Sequence, residues 1–218
     1  MKTLTEKIES GREYRAVNLE PHEEMSVRGY ATTFDQPYYL YRIENENGDP
    51  VTVYEKVARN AFDNTDMSDV IFQFDHTGRV YARLSNNTMT LETDDTGLLV
   101  DANLGGTDAG RQLYEEIRNG YVTKMSFGFS VDKAHIEDYG DRDYVRVIDS
   151  IRKLYDVSAV SYPQNENTNI SVRTLIDGEI EQLQAERLET EKRVRERKEK
   201  MEKLTMRLQG LKGEKNGD

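Results

Sequence analysis

The sequence predicts an α+β protein in which a compact antiparallel β body is followed by a long charged helix. Three observations lead to this fold class. Turn signals recur roughly every 8 to 12 residues over the first 170 residues, a spacing that is typical of antiparallel β structures. The segments between them are rich in β-branched and aromatic residues, which favour strands. From Glu179 to Gln209 the chain has neither Pro nor Gly and consists mainly of strong helix formers, so this part is expected to form one helix.

The predicted strands follow one another through the body of the chain. They are Glu13–Leu19, Ser26–Phe34, Val51–Val57, Val70–Asp75, Thr88–Thr93, Gly97–Leu104, Val122–Val131, Asp143–Ile148 and Arg152–Val160. The segment Asp94–Gly97 predicts a tight turn, because Gly97 can adopt the positive φ that such turns require. Its flanks, Thr88–Thr93 and Leu98–Asn103, are therefore expected to pair.

Two helices are expected to interrupt the strands. One is the short segment Ala58–Asn64. The other is Thr107–Asn119, where Thr107 can cap the first turn. Leu113 and Ile117 lie one helical turn apart and predict the face of this second helix that packs on the body.

Alternation along Val122–Val131 predicts which of its side chains face the core, because a strand directs successive side chains to opposite faces. One face carries Met125, Phe127, Phe129 and Val131, and the opposite face carries Lys124, Ser126, Gly128 and Ser130. The same period groups Phe72 and Phe74 with His76. His76 is therefore predicted at the end of an apolar strand.

The last part of the chain differs from the rest in charge. Residues 1–178 contain 19 Lys and Arg against 31 Asp and Glu, whereas residues 179–218 contain 11 against 10. We place the boundary near Asp177, which gives one domain over residues 1–176 and a charged helical tail over residues 177–218. The tail has little apolar surface, so it either stays solvated or needs a partner helix that buries Leu204, Leu208 and Leu211.

Composition excludes several classes of site and partner. The chain has no Cys, which excludes disulfides, thiolate metal sites and Cys nucleophiles and favours a cytosolic setting. A net charge of −11 argues against nucleic-acid binding. No stretch approaches the ~20 apolar residues of a membrane span, and the first residues lack the apolar core of an export signal. The sequence also predicts no metal site and no cofactor-binding loop.

A catalytic nucleophile in this chain would have to be a hydroxyl or an amine, and a hydroxyl needs a base that takes its proton. Histidine is the usual base. His22 and His135 lie in polar segments that are typical of a surface, whereas His76 follows an apolar segment. Two simpler interpretations stay open: His76 could bond a backbone group, and Ser126, which lacks the G-x-S-x-G context of the α/β-hydrolases, could be solvated.

Several short motifs occur in a fixed order between residues 25 and 172. They are Gly29–Ala31 (GYA) with Phe34, Ala61-Phe62, His76 after an apolar strand, Asp94–Leu98 (DDTGL), Gly120 with Lys124–Phe129 (KMSFGF), and Leu154–Val160 (LYDVSAV) with Pro163. This ordered set resembles the prohead proteases of HK97-like phages, which are serine proteases related in fold to the herpesvirus assemblins. The resemblance implies an antiparallel β-barrel core with surrounding helices.

Carried over residue by residue, the resemblance implies Ser126 as the nucleophile and His76 as its base. The third position of the family is an acidic residue, usually Glu, and the matching residue here is Asp156, which is one methylene shorter. Asp156 could orient the imidazole, or it could be purely structural. If Ser126 is not the nucleophile, Ser158 and Ser130 are the nearest substitutes.

Acyl transfer also needs donors for the oxyanion that forms, and backbone N–H groups before a helix commonly supply them. Gly105 and Gly106, which precede the helix predicted from Thr107, are candidates. These glycines could instead be simple turn residues. Arg152 and Lys153, near the acidic position, are the alternatives.

The resemblance further implies a serine endopeptidase that cleaves the scaffolding segment of the major capsid protein, and potentially itself, inside the assembling procapsid in the host cytoplasm. Self-association as a dimer is compatible with it, and no nucleic acid, membrane or cofactor is expected. The helical tail would be the packaging element that binds scaffold helices. The alternatives are a catalytically inactive assembly protein that acts through this helix, and a different hydrolase that uses Ser126 and His76 on small esters.

Overall fold

The computed structural model describes residues 13–22, 24–45, 48–140, 142–161 and 170–213. By its internal contacts the chain divides into two compact units, Met1–Thr174 and Leu175–Asp218. In the part of the chain so described, no helix is both long enough and apolar enough to cross a membrane. The side chains of Leu204, Leu208 and Leu211, which the tail prediction names, lie outside the described residues.

The first unit is built mainly from strands. In chain order these are β1 (Glu13–Asn18), β2 (Glu20–Pro21), β3 (Ser26–Thr33), β4 (Tyr38–Glu44), β5 (Pro50–Val57), β6 (Ile71–Phe74), β7 (Thr77–Arg83), β8 (Met89–Thr93), β9 (Gly97–Asn103), β10 (Lys124–Tyr139) and β11 (Asp143–Val160). A short 3₁₀ helix, Leu84–Asn86, follows β7, and helix α1 (Asp108–Arg118) precedes β10. The second unit contains most of helix α2 (Ile170–Gly213).

The strands form two sheets. The first has the order β1-β10-β11-β5-β4, with β6 paired to β11 and β7 paired to β6, and the second has the order β2-β3-β9-β8. Strand β11 is the centre of the first sheet. One of its edges pairs with β10 in an antiparallel hairpin, and its other edge pairs in parallel with β5 near the start of β11 and with β6 near its end.

One hydrophobic core lies between the two sheets. Phe72, Phe127 and Val157 enter it from the first sheet, Val27 and Val100 from the second, and Leu113 and Ile117 from α1. The mixed α and β composition agrees with the predicted class, but neither sheet closes on itself in its pairing order. The implied barrel is therefore not confirmed, and the two parallel pairs of β11 correct the expectation of a wholly antiparallel body.

Helix α1 confirms the helix predicted after Gly106. The Thr107 hydroxyl accepts a hydrogen bond from the Gly110 N–H, and Leu113 and Ile117 are buried. The helix predicted over Ala58–Asn64 is wrong, since the backbone there forms a run of turns. The carbonyl of Ala61, which a helix would use internally, accepts instead from the Ile151 N–H at 2.9 Å.

Several strand boundaries also differ from the prediction. Strands β2, β4 and β7 were not predicted, and the two segments predicted from Asp143 onward are one continuous strand, β11. The hairpin between β8 and β9 is present, but the reason given for Gly97 is wrong, because its φ is not positive. A Cβ at Gly97 would lie 2.0 Å from the Thr32 carbonyl oxygen, so close approach to β3 requires this glycine.

Candidate active site

A tight turn between β6 and β7 carries His76. Phe74 and Thr77 are paired, so the turn consists of Asp75 and His76, whose φ values are 48° and 55°. Positive φ at both central residues is the geometry of a type I′ hairpin turn, whose twist matches that of its flanking strands. For residues other than Gly this conformation costs of order 1–3 kcal/mol each, and it persists where the surroundings hold it.

Hydrogen bonds to the end of β11 hold this turn. The Asp75 N–H donates to the Ala159 carbonyl at 2.9 Å. The Asp75 carboxylate accepts from the Ser161 N–H at 2.9 Å and from the Ser161 hydroxyl at 2.8 Å. These contacts exist because β6 runs parallel to β11 and ends beside it. The imidazole of His76 is therefore placed on the first sheet by a restrained backbone.

Ser126 lies near the start of β10, between two other strands. Its Cα is in register with Ala16 of β1 and with Ser158 of β11. Met125 and Phe127 on either side of it are fully buried in the core, so Ser126 projects from the opposite face of the strand. This is the face that the alternation of the sequence predicts for it.

Ser126, His76 and Asp156 form one chain of hydrogen bonds. The Ser126 hydroxyl lies 2.7 Å from His76 Nε2, and His76 Nδ1 lies 2.5 Å from Asp156 Oδ1. An ionised carboxylate can only accept hydrogen bonds. The proton of the neutral imidazole is therefore on Nδ1, and Nε2 accepts from the Ser126 hydroxyl.

The shorter side chain at position 156 reaches the imidazole because of where it lies on β11. Asp156 is in register with Gly128 of β10, two residues beyond Ser126 on the same face of that strand. Gly128 brings no side chain to this face. The imidazole lies between the serine and the carboxylate, so the aspartate needs no additional methylene to contact it.

All three side chains are nearly enclosed by protein: His76 exposes 6%, Ser126 4% and Asp156 2% of its surface. Electrostatic interactions are stronger in such surroundings than in water. A hydrogen bond to a charged acceptor is also shorter and stronger than one between neutral groups. The Asp156 carboxylate is therefore suited to stabilise a positive charge that develops on His76.

This arrangement meets the requirements for nucleophilic chemistry at a hydroxyl. The imidazole can accept the Ser126 proton as the oxygen forms a new bond, and the carboxylate can keep the imidazole in the productive tautomer. The reacting oxygen lies on a strand and the carboxylate on its neighbour, which gives both a rigid support.

The structure does not bring the predicted oxyanion glycines into this chain of contacts. The Gly105 N–H donates to Asn103 Oδ1 at 2.9 Å, and Gly106 is exposed. Among the hydrogen bonds of the described residues, none joins Gly105 or Gly106 to Ser126. The alternatives Arg152 and Lys153 lie near carboxylates, at 3.5 Å from Asp132 and 2.5 Å from Asp66. The identity of the oxyanion donors stays a prediction.

The other serines and histidines named by the sequence lie elsewhere or have other contacts. Ser130 accepts a long hydrogen bond of 3.4 Å from the Tyr155 hydroxyl. Ser158 donates to Asp156 rather than to an imidazole. His22 and His135 are exposed, as their polar surroundings predict.

Sequence reasoning missed the contacts that hold the three side chains in place. Asp75 and Ser161 fix the turn of His76, and Ser158 bonds the carboxylate of Asp156. The two-residue spacing of Asp156 and Ser158 on one strand was a usable signal, since it puts both on one face. Nothing in the sequence indicates the pairing of Asp75 with Ser161, which lie 86 residues apart.

A surface groove begins beside the start of β10. Its lining includes Lys124, Asn18, Tyr30 and Leu99. Most of its lining belongs to the second sheet, and Ser126, His76 and Asp156 are not among the lining residues.

Two comparisons with known proteins found a match. The family model described as caudovirus prohead serine protease matches residues 12–183. The prohead protease of Enterobacteria phage HK97 is 27% identical to this chain over 151 residues, which cover 69% of this chain. The aligned part spans only 60% of the length of that relative. The search of solved structures found none that matches the chain.

Proposed function

This chain belongs to the caudovirus prohead serine protease family, and on that premise we propose that it is a serine endopeptidase of capsid maturation. Its substrate is the scaffolding segment of the major capsid protein, which it cleaves inside the assembling procapsid in the host cytoplasm. Cleavage of its own chain by the same site is part of the proposal.

The observation that carries the proposal is the continuous hydrogen-bond chain from Ser126 through His76 to Asp156 in a member of this family. A buried serine alone, or a buried histidine paired with a carboxylate, has many structural explanations. A hydroxyl, an imidazole and a carboxylate in this order support acyl transfer, because each group acts on the next.

In the proposed reaction, the Ser126 oxygen attacks the carbonyl carbon of the scissile peptide while His76 Nε2 takes the hydroxyl proton. Asp156 keeps the Nδ1 proton in place and balances the charge of the imidazolium. The imidazolium then gives its Nε2 proton to the leaving amine, and the C–N bond breaks. A water oxygen then bonds to the acyl carbon while the same nitrogen takes a water proton, the ester bond to Ser126 breaks, and the proton passes to the Ser126 oxygen.

Helix α2 supports a second part of the proposal, in which the tail brings the enzyme into the procapsid. Leu188, Val194 and Met201 are exposed on this helix, whose other described side chains are mostly charged. Val194 and Met201 are seven residues apart and therefore share one face, which is suited to contact another helix. Helices of the scaffold are the proposed partners.

The first experiment is co-expression of the chain with its major capsid protein, followed by mass measurement of the subunits in purified particles. Wild type should shorten the subunit, whereas Ser126→Ala should leave it at full length. Ser130→Ala is the matched control, because Ser130 lies on the same face of β10 and contacts Tyr155 instead of His76.

Each result has a clear meaning. If Ser126→Ala also shortens the subunit, Ser126 is not the nucleophile. If no variant shortens it, although the protein is present in the particles, the exposed apolar residues of α2 favour the alternative function, an inactive assembly protein.

A further inference from the structure

Ser158 contacts the proposed catalytic group without being part of the chain from hydroxyl to carboxylate. Its side chain is fully buried. Its hydroxyl donates to Asp156 Oδ1 at 2.9 Å, the same oxygen that lies 2.5 Å from His76 Nδ1. One carboxylate oxygen thus accepts from two donors, only one of which is the imidazole.

The position of Ser158 in the sheet explains this contact. It lies two residues after Asp156 on the same face of β11, and its Cα is in register with Ser126 on one side and with Gln73 on the other. A hydroxyl enclosed in this way donates to the strongest acceptor beside it, which is the carboxylate. Ser158 is therefore unsuited to act as the substitute nucleophile that the sequence left open.

We propose that Ser158 is a positioning residue that holds the Asp156 carboxylate in the orientation His76 requires; this inference rests on the proposed function. The terminal torsion of an Asp side chain is broad, so the carboxylate can rotate unless a neighbour restrains it. A donor from the same strand fixes the plane of the carboxylate with Oδ1 toward the imidazole. Removing that donor weakens the preference for the orientation in which Oδ1 accepts from Nδ1.

The test replaces Ser158 in the full chain and measures the rate at which a fluorophosphonate probe labels Ser126. This probe reports the nucleophile and its base without any knowledge of the cleavage sequence, because the serine oxygen bonds to phosphorus as fluoride leaves. Ser158→Ala should slow labelling by about 10-fold to 100-fold, the scale of effect that misplacement of a catalytic group produces. Ser130→Ala should label at the wild-type rate.

A second pair of variants separates the hydroxyl from packing. Ser158→Thr and Ser158→Val have nearly the same shape and differ in the hydroxyl, so any steric cost is common to both. Labelling should be faster in the Thr variant by about 10-fold. The low-field proton resonance of His76 Nδ1–H should persist in Thr and weaken or shift in Val, a readout that a purely structural role would not move.

The outcomes distinguish the role of Ser158 from the proposed protease function on which it rests. Equal labelling rates for Thr and Val, or wild-type labelling of Ser158→Ala, would overturn the role of Ser158 while the protease proposal stands. Absence of Ser126 labelling in the folded wild type overturns the proposed function, and the role of Ser158 with it.

Discussion

The two ends of β11 each carry a buried carboxylate paired with a nitrogen base, and only one of these pairs contacts a hydroxyl that can react. Near the start of the strand, Arg146 Nη1 lies 2.8 Å from Glu55 Oε2, and the Tyr38 hydroxyl donates to the other oxygen of Glu55. Near the end, Asp156 contacts His76 at 2.5 Å, and His76 contacts Ser126. The same strand in the same sheet supports both pairs.

The difference lies in the side chain that pairs with the carboxylate. A guanidinium has no acceptor and keeps its protons in proteins, so the Glu55–Arg146 pair cannot pass a proton to a neighbour. An imidazole has a second nitrogen that accepts or donates, and here that nitrogen faces a hydroxyl. A buried pair of a carboxylate and a nitrogen base is therefore insufficient to indicate chemistry, and the group that the base contacts next distinguishes the two pairs.

The largest expected effect follows from changing Asp156 to Asn. The Asn side chain keeps the shape, but its amide can donate to Nδ1, which places the imidazole proton on Nε2 where it blocks acceptance from Ser126. Cleavage should fall by about 10³-fold to 10⁴-fold, measured as the rate of capsid subunit shortening or of probe labelling. The matched change at the other pair, Glu55→Gln, should leave this rate within a few-fold of wild type; a comparable loss there would remove the distinction between the pairs.

The next effect concerns stability at the other end of the strand. Arg146→Met leaves the fully buried Glu55 without its guanidinium partner, and such a change costs about 3–5 kcal/mol of unfolding free energy. Urea denaturation measures this value. The double variant Glu55→Leu with Arg146→Met should recover most of the loss, because the uncompensated charge is gone. Wild-type stability of Arg146→Met alone would show that Glu55 is not held as a charged group.

A smaller effect is expected at the turn that carries His76. Asp75→Ala removes the contacts with Ser161 and puts a residue that disfavours positive φ at the position of Asp75. We expect a loss of about 1–3 kcal/mol of stability and slower labelling of Ser126. Asp75→Asn tolerates the left-handed conformation and keeps an acceptor, so it should stay closer to wild type in both measurements. If Ala and Asn behave alike, the contacts with Ser161 do not hold the turn.

The smallest effect is a pH dependence at His135, an exposed histidine of the β10–β11 hairpin. The Asp149 carboxylate, followed by Glu137, raises the pKa of His135. Because its pKa is raised in the folded state, protonated His135 stabilises the fold at pH values below the ordinary pKa of histidine. This contribution disappears as the pH rises through the pKa of His135 in the folded state. Because the side chain is half exposed, the contribution should stay below about 0.5 kcal/mol.

The measurement is the unfolding free energy between about pH 5 and 8 for wild type and His135→Gln. Wild type should lose slightly more stability than the variant as the pH rises. His22→Gln serves as the surface control, and an identical slope in wild type and His135→Gln would contradict the assigned pairing.

The roles of Ser126, His76 and Asp156 in the candidate site were implied by the resemblance of the ordered motifs, and local periodicity predicted one further feature. Alternation along β10 separated Ser126 from the core residues Met125 and Phe127. Helix α1 was predictable for the same reason, since its cap and its apolar face lie within a few residues of each other. These features depend on neighbours in the chain, whose geometry is set by the backbone.

Only the tertiary structure decided how distant segments meet. Strand β11 pairs in parallel with both β5 and β6, and it replaces two predicted strands. Turns take the place of the helix predicted at Ala58–Asn64. All three features depend on partners far along the chain. The contacts of Ser158 with Asp156, and of Asp75 with Ser161, likewise form when β11 is in place. Hydrogen bonds between strands that are far apart in the chain leave no repeating pattern in the sequence. The pairing of these strands therefore determined that an aspartate, a histidine and a serine meet in this order.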